Sequence, residues 1–163
     1  MSTLFEDIAE FHAALEQRKG IACLDLGTKT IGVALSDLLW TVATPVKTIK
    51  RRKFTLEAAE LLTLLAEREV CGILLGLPRN MDGSEGPRCQ STRAFARNLS
   101  ALTPLPIGFW DERLSTVAAE RALLEADTTR KRRKEVIDHV AASYILQGAL
   151  DRMRNLARTE NDG

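Results

Sequence analysis

The run VCGILLGL, Val70 to Leu77, constrains the fold more than any other stretch of this chain. A strand that is apolar at every position has no face to give to water. It therefore belongs inside a sheet covered on both sides, the usual setting of central parallel strands. The patterned segment Phe54–Glu69 before it reads as a helix, and prolines 104 and 106 lead into a further strand, IGFWDE. Earlier in the chain, Ile21–Leu26 and Ile31–Ser36 read as strands joined by the tight turn GTKT, with a third strand near Ala43–Ile49. Helices are also expected from about Gln90 to Ala101, over Thr116–Ala126, and from Val136 to about Arg154, with the basic run RKRRK interrupting the last two. Three antiparallel strands followed by β-α-β units predict an α/β fold, a mixed five-stranded sheet with helices on both faces.

At 163 residues the chain suits one main domain. We assign it to residues 20–154, preceded by an amphipathic helical extension over 1–19 and followed by a polar, fraying tail over 155–163. In the extension, Leu4, Ile8, Phe11 and Leu15 share one helical face, with Ser2 or Thr3 as the cap. Glu6, Asp7 and Glu10 stand where a signal peptide would be basic and then apolar. No run approaches the roughly 20 apolar residues of a membrane span. Cys23, Cys71 and Cys89 show no C-x-x-C spacing, and with only His12 and His139 a zinc site is disfavoured. A reduced, cytoplasmic setting follows as the expectation.

Carboxylates occur where structure alone would not ask for them. Asp25 lies late in an otherwise apolar strand, Asp111-Glu112 ends another, and Asp138 falls early in the long C-terminal helix. Singly each has an ordinary explanation: a turn cap for Asp25, a solvated strand end, a helix-dipole partner for Asp138. Strand ends in α/β sheets are also where sites gather. If the three acids meet, each pair about 5 Å apart repels by roughly 3 kcal/mol at an effective dielectric near 20. A hard divalent cation reverses that sign. Two such ions are a known device for phosphodiester hydrolysis.

The motifs LDLGTKTIGVALSD, GLPRNMDGSEG, DERLST and RKEVIDHVAASYILQ, in that order from about Gly20 to Asp151, resemble the YqgF/RuvX family. Its members are described as Holliday junction resolvases or pre-16S ribosomal RNA nucleases with a ribonuclease H-like fold. The resemblance implies that Asp25, Glu112 and Asp138 are the catalytic residues and hold Mg²⁺ or Mn²⁺. It also selects Glu112 over Asp111, which period-two alternation puts on the opposite face. It implies cleavage of structured RNA in ribosome biogenesis, or alternatively of branched DNA, by a monomer or homodimer. The related RuvC-type resolvases carry two acids one turn apart on the last helix. Here Glu135 lies one turn before Asp138, and Ala141 one turn after it.

The net charge of +1 hides two basic clusters, Lys50–Lys53 and the run Arg130, Lys131, Arg132, Arg133 and Lys134. The second precedes Asp138 by one turn and suits a phosphate backbone. Lys29, Arg79, Asn80, Arg88 and Arg113 are the other candidate nucleic-acid contacts, with Gly76, Gly83 and Gly86 allowing close backbone approach. Aromatics form only 5% of the chain, which favours reading of backbone and shape over base stacking. DLGTKTIGVA also resembles the first phosphate motif of sugar kinases and actin-like proteins, but those need a second lobe that this length does not provide. A non-catalytic nucleic-acid-binding domain on the same fold is the remaining alternative.

Overall fold

The computed structural model describes residues 3–115 and 130–162, with side chains over 3–115 and 140–158. The helix expected over Thr116–Ala126 lies outside the described residues. Six strands form one sheet: β1 (Leu4–Phe5), β2 (Gly20–Leu26), β3 (Thr30–Ser36), β4 (Ala43–Lys50), β5 (Val70–Leu77) and β6 (Ile107–Asp111). Their spatial order is β1-β6-β5-β2-β3-β4. β2, β3 and β4 pair antiparallel, whereas β5 runs parallel to β2 and β6 parallel to β5. The mixed arrangement matches the expectation, and every residue of β2 and β5 is buried, as their apolar runs require.

Alternation along the strands sends side chains to two cores. Leu24, Val33, Ile73, Leu75 and Phe109 meet helices α2 (Phe54–Ala66) and α3 (Pro87–Ser100) on one face. Ile21, Cys23, Leu74 and Trp110 meet α1 (Ile8–Ala13) and α4 (Arg130–Asp162) on the other. α4 presents Ala141, Ala142, Ile145 and Ala149 to the sheet, spaced for one stripe of a 3.6-residue helix. Small residues there let the helix lie close. Among the described residues no helix is long and apolar enough to cross a membrane.

Three boundaries differ from the expectation. The sixth strand is β1, which pairs parallel with β6 through Leu4 and Phe5. Leu4 turns to the α2/α3 core and Phe5 to the other, so two residues satisfy period two where a helical stripe was expected. The helix starts later because Asp7, not Ser2 or Thr3, caps it, its carboxylate accepting from the Ala9 amide at 2.8 Å. At the other end of the chain, the run Arg130–Lys134 forms the first turns of α4 instead of interrupting helices, and that helix continues to Asp162. Arg and Lys are good helix formers, so their charge does not by itself break a helix.

Candidate active site

The site is built where β2, β5 and β6 end. Leu24 pairs with Leu75 and Gly76 with Trp110, so one step further along β2 places Asp25 beside Gly76. Neighbouring strands lie about 4.8 Å apart. Asp25 shares the α4 face with Cys23 two residues earlier, and it is only 4% exposed. β6 ends at Asp111, and Glu112 opens a 3₁₀ turn, Glu112–Leu114. The Glu112 side chain reaches back over β5: a Cβ added to Gly76 would lie 2.8 Å from its Oε1 and 3.2 Å from its Cγ. The same Cβ would lie 2.9 Å from Cδ1 of Ile145 on α4. Gly76 is therefore the space Glu112 occupies, not a point of phosphate approach.

Asp25 and Glu112 consequently sit about one strand spacing apart on the same face. The buried Cys23 thiol beneath them reports both. Burial raises its pKa well above the ordinary thiol value, and the charges of Asp25 and Glu112 raise it further. Such a thiol is a poor nucleophile, in line with its reading as core.

Asp138 lies on α4 three and four residues before Ala141 and Ala142, so helical period puts its position on the stripe that faces the sheet. Its side chain, with those of Glu135 and of Arg130, Lys131, Arg132, Arg133 and Lys134, lies outside the described residues. Among the described residues no group of three or more metal-ligating side chains is assembled. Two convergent carboxylates nevertheless supply hard oxygen donors of the kind Mg²⁺ takes together with water and phosphate oxygens. The donor set fits the ion.

Asp111 is engaged elsewhere. Arg113 holds it through Nε at 3.1 Å and a second guanidinium nitrogen at 2.7 Å, and also donates to the Met81 carbonyl at 3.2 Å. Alternation had set Asp111 apart from Glu112, and the ion pair shows what Asp111 does instead. Arg113 thus ties the 3₁₀ turn to the loop 78–86. That loop is shaped by its own contacts: Ser84 accepts from Asn80 Nδ2 at 2.9 Å, and Gly83 takes a left-handed φ of 89°. Arg79 pairs with Glu85 at 3.3 Å, and Arg93 clamps Glu85 and Glu6 together. Arg79, Asn80 and Arg113 are therefore occupied within the protein, whereas Lys29 is exposed and Arg88 faces a cavity.

Sequence reasoning also missed an ion pair between a half-buried arginine and a buried glutamate. Arg51, one of the basic cluster Lys50–Lys53, grips Glu57 through two nitrogens at 3.2 Å each and donates to the Gly27 carbonyl at 2.9 Å. It anchors the β2–β3 turn next to Asp25 onto α2. The signal was Glu57 in the first turn of α2, six residues after Arg51.

Hydrogen bonds from Arg113 hold the Asp111 carboxyl below its usual range, and those from Arg93 do the same for Glu85. A lowered folded-state pKa means the unfolded chain binds the proton more readily. The stability these pairs supply is present above about pH 4 and disappears as the pH falls through the depressed values. Urea midpoints should accordingly fall between pH 5 and pH 2, with a shallower fall in Arg113→Ala. An identical acid profile in that variant would remove Asp111–Arg113 as a contributor.

Comparison with known proteins extends this geometry. Residues 19–152 match the family described as RuvX, Holliday junction resolvase. A relative from Ruegeria sp. (strain TM1040), named "Putative pre-16S rRNA nuclease", is 74% identical across 93% of this chain and 95% of its own. A relative of the same name from Ruegeria pomeroyi is 72% identical across 93% of this chain and 98% of its own. Among solved structures, the yeast mitochondrial Holliday junction resolvase Ydc2 superposes with a TM-score of 0.53 at 13% identity, over 94% of this chain and 87% of that one. The last likeness is one of fold. By its motifs, its sheet and its close relatives, this chain belongs to the RuvX family.

Proposed function

We propose that this protein is a metal-dependent endonuclease that hydrolyses phosphodiester bonds in structured RNA and processes the 5′ end of pre-16S ribosomal RNA. The observation that carries the reading is the convergence of Asp25 and Glu112 over Gly76 at the ends of three neighbouring strands. The names of relatives above 70% identity point to the same substrate. Asp25, Glu112 and Asp138 are the proposed ligands of Mg²⁺ or Mn²⁺, which when bound supplies a polarised water and neutralises charge on the phosphate. The chain's own part is positioning. β2 holds Asp25 in a nearly dry pocket, the 3₁₀ turn holds Glu112 over a glycine, and Arg51 fixes the turn after Asp25. Fixed carboxylates need no reorganisation when the reaction occurs. Lys29, Arg88 and the run Arg130–Lys134 are the proposed backbone contacts, with Arg79, Asn80 and Arg113 shaping the loop beside them. Three buried cysteines, none of them in a disulfide, suit a cytoplasmic enzyme.

The description of the family favours a second substrate, the four-way DNA junction. A pre-16S RNA leader and a four-way junction offered side by side with Mg²⁺ separate the two. Cleavage of the RNA alone is the expected result, and cleavage of the junction alone would move the role to recombination. Gly76→Ala tests the geometry from within. The new methyl displaces Glu112 and presses on Ile145, which should cost about 1–3 kcal/mol in stability. Cleavage by the folded variant should fall by about 10² or more, as a misplaced group commonly causes. Wild-type turnover in Gly76→Ala would show that Glu112 need not sit there.

A further inference from the structure

A cavity of about 470 Å³ opens on the opposite face of the sheet from Asp25, between the β2–β3 turn, the connection from β4 to α2 and the first turns of α3. Thr28, Arg51, Arg52, Arg88, Ser91 and Thr92 supply its polar lining, and no acidic residue among the described residues lines it. Structural demands explain Arg51, whose charge Glu57 matches. They explain Thr92 as well, whose hydroxyl donates to the Arg88 carbonyl at 3.0 Å, but they explain Arg52 and Arg88 poorly. Arg52 has only a 3.6 Å contact with Glu60, a carboxylate that Lys47 shares at 3.7 Å. The Arg88 guanidinium makes a long contact of 3.4 Å to the Leu26 carbonyl, and no carboxylate of the described residues pairs with it. Arg88 also stands in the first turn of α3, just after Pro87, where the helix dipole adds positive potential. Like charges facing a shared concavity repel unless an anion joins them. Guanidinium forks with hydroxyls beside them are the donor set for a tetrahedral phosphate.

We infer that this cavity binds a phosphate group of the nucleic-acid strand, a contact separate from the carboxylate centre. The inference rests on the nuclease reading. Thr28 is three residues beyond Asp25, so their Cα atoms are at most about 10 Å apart. A nucleic-acid strand crossing the tip of the β2–β3 hairpin spans that distance within a few nucleotides. The cavity then fixes how far the substrate extends past the scissile bond, with Arg88 and Arg52 holding the phosphate and Ser91 donating a hydroxyl hydrogen bond.

The test measures binding without cleavage. Affinity for a labelled pre-16S leader is followed in EDTA over a series of KCl concentrations for the wild type, Arg88→Gln, Arg52→Gln and Ser91→Ala. Thermal melts confirm that each variant folds. Each arginine variant should bind more weakly and flatten the slope of log K against log salt by about 0.7–0.9, the signature of one lost phosphate contact. Ser91→Ala should weaken binding with the slope unchanged. Wild-type affinity and slope in both arginine variants would overturn the inference while leaving the nuclease reading intact. Calorimetric titration with inorganic phosphate and AMP forms the second arm. Binding there that Arg88→Gln abolishes, with RNA affinity and slope unaltered, would reassign the cavity to a free nucleotide and overturn the strand contact. A wild-type protein that binds neither RNA nor junction DNA would remove the nuclease reading itself, and this subsite with it.

Discussion

Asp25→Asn is expected to lower the rate of phosphodiester cleavage by on the order of 10³ or more while leaving the fold intact. The magnitude follows from the role proposed for the carboxylate. Removing one preorganised electrostatic group from an active site commonly costs 10²–10³, and loss of a direct metal ligand adds the loss of the ion. The substitution keeps size and shape, so packing in the buried end of β2 should survive. Without metal the variant should be at least as stable as the wild type. At about 5 Å and an effective dielectric near 20, the repulsion from Glu112 that it removes is roughly 3 kcal/mol. Urea denaturation with and without Mg²⁺ checks both halves: Mg²⁺ should raise the midpoint of the wild type and not that of the variant. A variant that cleaves at the wild-type rate would end the assignment of Asp25.

Phe11→Ala should produce the largest loss of stability. Phe11 is fully buried on the α4 face of the sheet, although it comes from the short helix α1. Two glycines make room for it. A Cβ at Gly108 would lie 2.7 Å from the Phe11 ring, and one at Gly72 would lie 3.1 Å from it and 2.4 Å from Leu15. Removal of a ring so enclosed leaves a cavity that β5 and β6 cannot collapse to fill. The expected cost is about 3–5 kcal/mol, against a total stability of about 5–15 kcal/mol for a typical domain. For a chain of this size the melting temperature should fall by about 6–20 °C. A loss below 1 kcal/mol would mean that α1 is an appendage and not part of the core.

That second prediction was not legible in the sequence. The stripe Leu4, Ile8, Phe11 and Leu15 suits a helix, and nothing local reveals that Leu4 and Phe5 leave it to pair with β6. Partners so far along the chain escape any local pattern. Gly76 reads in the sequence as a point of close approach for a substrate backbone, whereas Gly72, Gly76 and Gly108 make room for the chain's own Leu15, Glu112 and Phe11. By contrast, the strands β2 to β6 were readable because apolar runs and alternation are local signals that the sheet rewards directly. The choice between Asp111 and Glu112 was half legible. Alternation separated their faces, but only the structure shows Arg113 holding Asp111 and Glu112 resting over Gly76. In the basic cluster after β4, charge suggested surface and ligand. Arg51 is in fact committed to Glu57, and the neighbouring charges of Arg52 and Arg88 face one cavity.

Asp25 and Glu112 are proposed to form one hydrolytic centre. That proposal is tested most directly by single-turnover cleavage of a pre-16S RNA leader with Mg²⁺, comparing wild type, Asp25→Asn, Glu112→Gln and the double variant at equal folded concentration. Each single substitution should abolish nearly all cleavage, and the double variant should be little worse than either, as for residues acting as a unit. Two small, additive losses, or full cleavage by the double variant, would contradict it.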